Sequence, residues 1–286
     1  MPTAIDYLIS AQHNSGGWGY SSTQKPVVEP TSAVLLAIRD EPQAYEAYQK
    51  GIAWLVNSQH QDGGWGICED DPESGWQTAW ALLVLKQSIP KTEVITKAVE
   101  WLVTVGTYDI SGEEFMKPDF PQSASYNALI WPWLPKQVGF VEPTAMALLA
   151  LEGLTDLQVA EDRISVALRY FQENRTPDGG WSTGNAGPLD TIVLPRTYPT
   201  TLVLLALAYY AKQDILPKDI SALEQDMQRD PGILAQSCGA LALQTLGKSD
   251  EMLKMKITGQ QQADGSWNVN PFHTAWAIMA LRSYFA

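Results

Sequence analysis

Basic residues, histidine and cysteine are all scarce in this 286-residue chain. Its 19 Lys and Arg are outnumbered by 32 Asp and Glu, giving a formal net charge of −13. No basic run of five or more occurs, which argues against nucleic acid or any partner held mainly through phosphates. Two cysteines, Cys68 and Cys238, imply no disulfide framework and suit a reducing compartment. No apolar run reaches the ~18 residues of a membrane span; the richest, Thr201 to Ala211, is about half that length. Met1 to Gln12 has no basic n-region and no small-residue cleavage site, so a signal peptide is not expected and a cytoplasmic location is. Alternating strand patterns are missing as well.

What is abundant is apolar and aromatic material. Hydrophobic residues make up 45% of the chain and charged residues 18%, which excludes a disordered chain and supports a large core. Among them are 11 Trp and 11 Tyr, and several recur at repeat spacing. One phrase reads Gln12-His13-Asn14-Ser15-Gly16-Gly17-Trp18, returns at Gln59 to Trp65 and again at Gln261 to Trp267, with a longer variant from Gln172 to Trp181. A second phrase is a small, apolar helical stretch led by Thr: Thr31 to Ile38, Thr78 to Leu85, Thr144 to Leu151, Thr200 to Leu207 and Thr274 to Leu281. A further copy, Gln236 to Leu243, has Gln in place of Thr and no Trp loop before it.

A more polar, amphipathic stretch precedes each of these: Ala4 to Gln12, Tyr45 to Gln59, Glu93 to Val105, Leu157 to Glu173, Lys218 to Arg229 and Glu251 to Gln262. The second helix of each pair is apolar nearly all round and must be buried on both faces. Six helical hairpins follow, each with an outer and an inner helix. An open array of repeats usually carries polar caps. The last inner helix here, His273 to Ala286, has none, so a closed ring is expected. The reading is all-α: one (α/α)6 barrel, residues 1–286 as a single domain, with an insertion at 107–140 between the third outer and inner helices. Repeat count thereby overrides the length-based expectation of two domains.

The Gln-x(3)-Gly-Gly-Trp loops followed by Thr-Ala-Trp-Ala-Leu helices resemble the QW repeats of squalene–hopene cyclase and other class II terpene cyclases. They are similar also to the toroidal β subunits of protein prenyltransferases. Gln59 to Leu85 is the nearest match. The resemblance implies the α/α toroid, an isoprenoid ligand and a central cavity walled by the inner helices. It also implies that the Trp loops are stabilising ties, in keeping with the sharp turn a Gly-Gly pair permits and the acceptor a buried indole N–H needs.

Residues two before and two after the recurring Thr lie four apart, on one helical face. Read along the repeats, they are Glu29/Ala33, Trp76/Trp80, Glu142/Met146, Tyr198/Leu202, Leu234/Cys238 and Phe272/Trp276. If this face points inward, the lumen holds two carboxylates and five aromatic rings; the bland alternative is a stripe packed on the outer helices. The cyclase acid motif, Asp-x-Asp-Asp-Thr-Ala, aligns with Phe140-Val141-Glu142-Pro143-Thr144-Ala145, which puts the proton-donating Asp on Glu142. The flanking acids fall on Phe140 and Pro143, so the motif is broken. A Glu buried among aromatics has a raised pKa and is a weak acid, better suited to an easy proton transfer than to alkene activation. Glu-Pro-Thr also occurs at Glu29-Pro30-Thr31, so the phrase equally reads as a helix start, with Pro in the first turn and a carboxylate against the dipole.

His273 precedes Thr274, as a zinc-binding His does in the resembling prenyltransferases, but their Asp-x-Cys partner is missing; no metal and no cofactor are expected. Glu69-Asp70-Asp71-Pro72-Glu73 reads as a solvated loop. The 107–140 insertion carries Tyr108, Phe115, Phe120, Tyr126, Trp131, Trp133 and Phe140, and with the connection from Thr183 to Pro199 reads as cover for the cavity mouth. The expected function is an isoprenoid-handling, terpene cyclase-like isomerase. Glu142 is its acid, His273 or Glu29 its proton acceptor, and Trp76, Trp80, Met146, Tyr198, Leu202, Cys238, Phe272, Trp276, Trp131, Trp133 and Phe140 its cavity wall. The alternative is a non-catalytic lipid- or isoprenoid-binding or scaffold protein that keeps the toroid without the acid motif. Candidate partners are a small hydrophobic isoprenoid or lipid, a peripheral membrane contact, and a protein or second copy covering the barrel mouth.

Overall fold

The computed structural model describes residues 3–106, 129–154, 158–183 and 193–282. Tyr108, Phe115, Phe120, Tyr126 and the last four residues of the expected final helix lie outside these. Twelve α-helices run through the described residues: α1 Ala4–Ser10, α2 Val28–Ile38, α3 Tyr45–Asn57, α4 Gln77–Ser88, α5 Glu93–Thr104, α6 Val141–Leu151, α7 Gln158–Glu173, α8 Thr197–Tyr210, α9 Pro217–Arg229, α10 Ile233–Thr245, α11 Glu251–Gly259 and α12 Pro271–Arg282. Among the described residues the only β pairing is an isolated bridge between Pro132 and Gly139. No described helix is long and apolar enough to cross a membrane.

Even-numbered helices form an inner ring. Each packs on the next, α2 on α4, α4 on α6, α6 on α8, α8 on α10 and α10 on α12, and α12 closes on α2. The ring is an (α/α)6 barrel. Odd-numbered helices lie outside it; α9, for instance, rests against both α8 and α10. Sequence character explains the two layers. Every residue of α2 and of α6 is buried, whereas α5 and α9 bury one stripe and leave the other face to water. Pro30, Pro143 and Pro199 each stand third in an inner helix, within the first turn, where the missing N–H has no helical acceptor to lose.

A repeated tie fastens the layers together. The indole N–H groups of Trp18, Trp65, Trp181 and Trp267 donate to the carbonyls of Leu8, Leu55, Phe171 and Ile257 near the ends of the outer helices, at 2.7–2.8 Å. The backbone N–H of each Trp donates to the hydroxyl of the Thr that leads the inner helix: Thr31, Thr78, Thr200 and Thr274. All four indoles are buried. In the Trp65 loop the glycine pair is sterically required. At Gly63, which has φ +92°, a Cβ would stand 2.5 Å from the Lys97 carbonyl oxygen, and at Gly64 it would stand 2.5 Å from Ser74 Cβ. Gln12 and Gln59 fasten the same loops onward by donating to Ala47 and Val94 in the next outer helices.

Trp131 corrects the expectation that placed it on the cavity wall. Its indole N–H donates to Leu102 O at 2.8 Å and its backbone N–H to Thr144 Oγ1 at 3.1 Å, so it is the fifth tie. Arg163 stacks on that indole at 4.2 Å and donates to the Leu102, Val103 and Leu129 carbonyls. Where the loop is missing, Gln236 substitutes for it: its side-chain amide donates to Met227 O at 2.6 Å and Asp230 O at 2.7 Å.

Candidate active site

Contacts between inner helices that are not ring neighbours can be made only across the axis. Trp80 of α4 meets Phe272 and Trp276 of α12 at centroid distances of 6.2 and 6.3 Å, and Tyr198 of α8 meets Trp276 at 5.8 Å. All three pairs are edge-to-face. These side chains therefore point inward from alternate helices and pack against one another. Met146, Leu202 and Cys238 stand one turn into their helices and are buried; burial pushes the Cys238 thiol well above its usual range. The indole N–H groups of Trp80 and Trp276 are buried without a hydrogen-bond partner.

Glu29 sits in the first turn of α2, 8% exposed, beside this cluster. Its Oε2 accepts from the Tyr20 hydroxyl and its Oε1 from the Tyr198 hydroxyl at 3.3 Å. Burial pushes its pKa up to about 7, while the two phenols pull the other way by stabilising the anion. Tyr20, which also packs on Phe272 with centroids 5.8 Å apart, is absent from the sequence-based site. The signal that finds it is register. Tyr20 follows its tie Trp by two residues, as Trp133 follows Trp131.

Glu142 occupies the same place in α6 and is 4% exposed. Its Oε2 has no hydrogen-bond partner. Burial again raises its pKa to about 7, opposed by its own backbone N–H at the helix start. Tyr198 feels the charge of both carboxyl groups, and burial together with those charges holds its phenol well above the usual range. A second aromatic group lies nearer the mouth: Trp76 and Trp133 meet edge-to-face at 4.9 Å, and Trp133 lies 6.4 Å from Phe140.

Other sequence-based candidates fall elsewhere. His273 is at the start of α12, where its Nδ1 pairs with the Asn268 side chain at 3.2 Å and burial lowers its pKa. In the acidic loop, Asp70 pairs with Lys25 at the surface and Asp71 accepts from the Ile67 and Glu73 N–H groups. Among the described residues no group of three or more His, Cys, Asp or Glu side chains could hold a metal ion.

Residues 1–126 match the model of the squalene–hopene cyclase C-terminal domain. No curated protein sequence matches the chain. Among solved structures, a protein from Actinoplanes is similar over 99% of this chain and 98% of its own, with a TM-score of 0.64 and 18% identity. A variant of the type II terpene cyclase MstE from Scytonema, in complex with its substrate geranylgeranyl dihydroxybenzoate, is similar over 97% of this chain and 94% of its own, with a TM-score of 0.60 and 18% identity. An alpha-amylase from Clostridium perfringens reaches a TM-score of 0.66 at 12% identity, over 99% of this chain and 97% of its own. At such identities these structures speak for the toroid alone.

Proposed function

We propose that this chain, squalene–hopene and class II terpene cyclase-like in sequence and toroidal fold, binds an isoprenoid inside the ring and rearranges it by proton transfer. The observation that carries this reading is the pair of buried carboxyl groups at the starts of α2 and α6, both with pKa values near 7, beside inward-pointing aromatic rings. Glu142, with Oε2 unpartnered, is the donor. Its O–H proton adds to one carbon of an electron-rich double bond, and the neighbouring carbon becomes a tertiary cation. Trp80, Tyr198, Phe272 and Trp276 stabilise that cation through their ring quadrupoles, at up to ~2 kcal/mol for a desolvated pair. Glu29, as carboxylate, takes a proton from the carbon beside the cation, and a new double bond forms. Net composition is unchanged, and the proton returns to Glu142 between turnovers. Because the rings touch one another, an entering chain must part them.

Phe140 and Pro143, in place of two acidic residues of the cyclase motif, favour a second reading: a binding protein with no chemistry. One experiment separates them. Wild type and Glu142→Gln are incubated with geranylgeraniol in D2O, and products are read by mass spectrometry. The catalytic reading expects an isomerised or cyclised product carrying deuterium, reduced at least ~10²-fold in the variant, the usual size of a general-acid contribution. Tight binding with no product from any farnesyl or geranylgeranyl compound leaves the binding protein.

A further inference from the structure

A pocket of about 650 Å³ opens beside the start of α8, in the size range of small-molecule sites. Its origin is a departure from the repeat. Elsewhere a Trp loop separates an outer helix from its inner partner, but α9 ends at Arg229 and α10 begins at Ile233, so no Trp loop separates this pair. Thr197 and Tyr198 line the pocket from α8 and Arg196 from the residue before it; Asp226 lines it from α9 and Asp230 from the residue after it. Tyr198 is a shared wall, since its hydroxyl reaches Glu29 in the ring interior at 3.3 Å.

Asp226 determines what the pocket can hold. It is 2% exposed. Its Oδ2 accepts from the Thr197 N–H at 2.7 Å and the Thr197 hydroxyl at 2.9 Å, which caps α8 from a neighbouring helix. Its Oδ1 makes no hydrogen bond, with Arg196 Nη1 no nearer than 3.8 Å. A buried carboxylate oxygen beside a cavity calls for a donor, and the half-exposed Arg196 guanidinium offers donors to an acceptor. An anion is disfavoured twice. Asp226 already occupies the positive end of α8, and one Arg faces two Asp side chains.

We propose that this pocket is the head-group subsite of the ring, and that it takes an uncharged, hydroxyl-bearing head, an alcohol or phenol, and excludes a diphosphate. The hydroxyl donates to Asp226 Oδ1 and accepts from Arg196, with Tyr198 between the head and the isoprenoid chain. The assignment rests on the isoprenoid reading for the chain, but the head-group chemistry is measurable without it.

The test is calorimetric or NMR-detected binding of geranylgeraniol, geranylgeranyl diphosphate and the chain-free diol resorcinol to wild type, Arg196→Met and Asp226→Asn. Arg196 is exposed enough that its replacement leaves the fold intact, and thermal melting checks Asp226→Asn. Geranylgeraniol is expected to bind more tightly than the diphosphate and to lose about tenfold or more in each variant, the scale of a hydrogen bond to a charged group. Resorcinol binding that Arg196→Met abolishes, with no isoprenoid binding, would keep the pocket and overturn the isoprenoid reading. Preference for the diphosphate, alcohol binding indifferent to both substitutions, or binding of none of the three probes would overturn the proposal.

Discussion

Glu29 and Glu142 begin two inner helices with the same three residues, Glu-Pro-Thr, and the ring gives them different surroundings. Glu29 is held by two phenols, Tyr20 from its own hairpin and Tyr198 from another. Glu142 has an oxygen with no partner. Burial alone raises both to about 7, so their pKa values do not tell them apart; their hydrogen bonds do. A carboxylate steadied by two phenols is fit to receive a proton, and a carboxyl group with one oxygen unpartnered is fit to give one.

The sharpest break in that comparison is kinetic. With product formation as readout, Glu142→Gln is expected to lower turnover at least ~10²-fold. Wild-type turnover is expected to peak near pH 7, because the donor must be protonated and the acceptor ionised. Equal, small effects of Glu142→Gln and Glu29→Gln would return both residues to the role of helix starters.

The next effect is on stability. Each carboxyl group has a folded pKa raised above its unfolded value, so its contribution is fully present below about pH 4.5 and is lost as pH rises through about 7. The loss is on the order of 3 kcal/mol for each group. Denaturant melts from pH 4 to 8 are expected to show Glu→Gln at either site flattening this fall relative to wild type. An unchanged slope in both variants would mean that folding raises the pKa of neither group.

A smaller effect separates the loops in front of the two acids. Trp18→Phe leaves the buried Leu8 carbonyl without its indole donor, at a cost of about 1–3 kcal/mol. Trp131→Phe is expected to cost less, because Leu102 O keeps the Arg163 donor at 3.0 Å. Urea unfolding midpoints rank the two, and the reverse order would contradict the compensating role given to Arg163. Smallest of all is Tyr20→Phe. Removing a phenol that stabilises the anion is expected to raise the Glu29 pKa further and leave Glu142 where it is, as followed by carboxyl-carbon NMR.

The hairpin layout and the two layers were legible because helical periodicity and a recurring Thr, replaced once by Gln236, set a register that six copies share. Trp131 was misplaced although the same register marks it: it precedes Thr144 by 13 residues, as Trp18 precedes Thr31 and Trp65 precedes Thr78. Its separation of 29 residues from Leu102, against 10 in the other ties, hid the match. Tyr20 and Asp226 were less accessible. Each acts on a residue of a different repeat: Asp226 on Thr197 of the preceding repeat, a pairing that needs the repeats to stack, and Tyr20 on Phe272, a pairing that exists only once the ring has closed.

Closure has a mechanical consequence. In an open stack the terminal units have one neighbour and fray first. Here α12 packs on α2, and Arg282 pairs with Glu41 just past the end of α2, so every inner helix has two neighbours. Removing any one hairpin breaks two interfaces and never one. Amide protons of all six inner helices are therefore expected to exchange at one common, slow rate, like staves held by a single hoop, while those of the outer helices exchange sooner and independently.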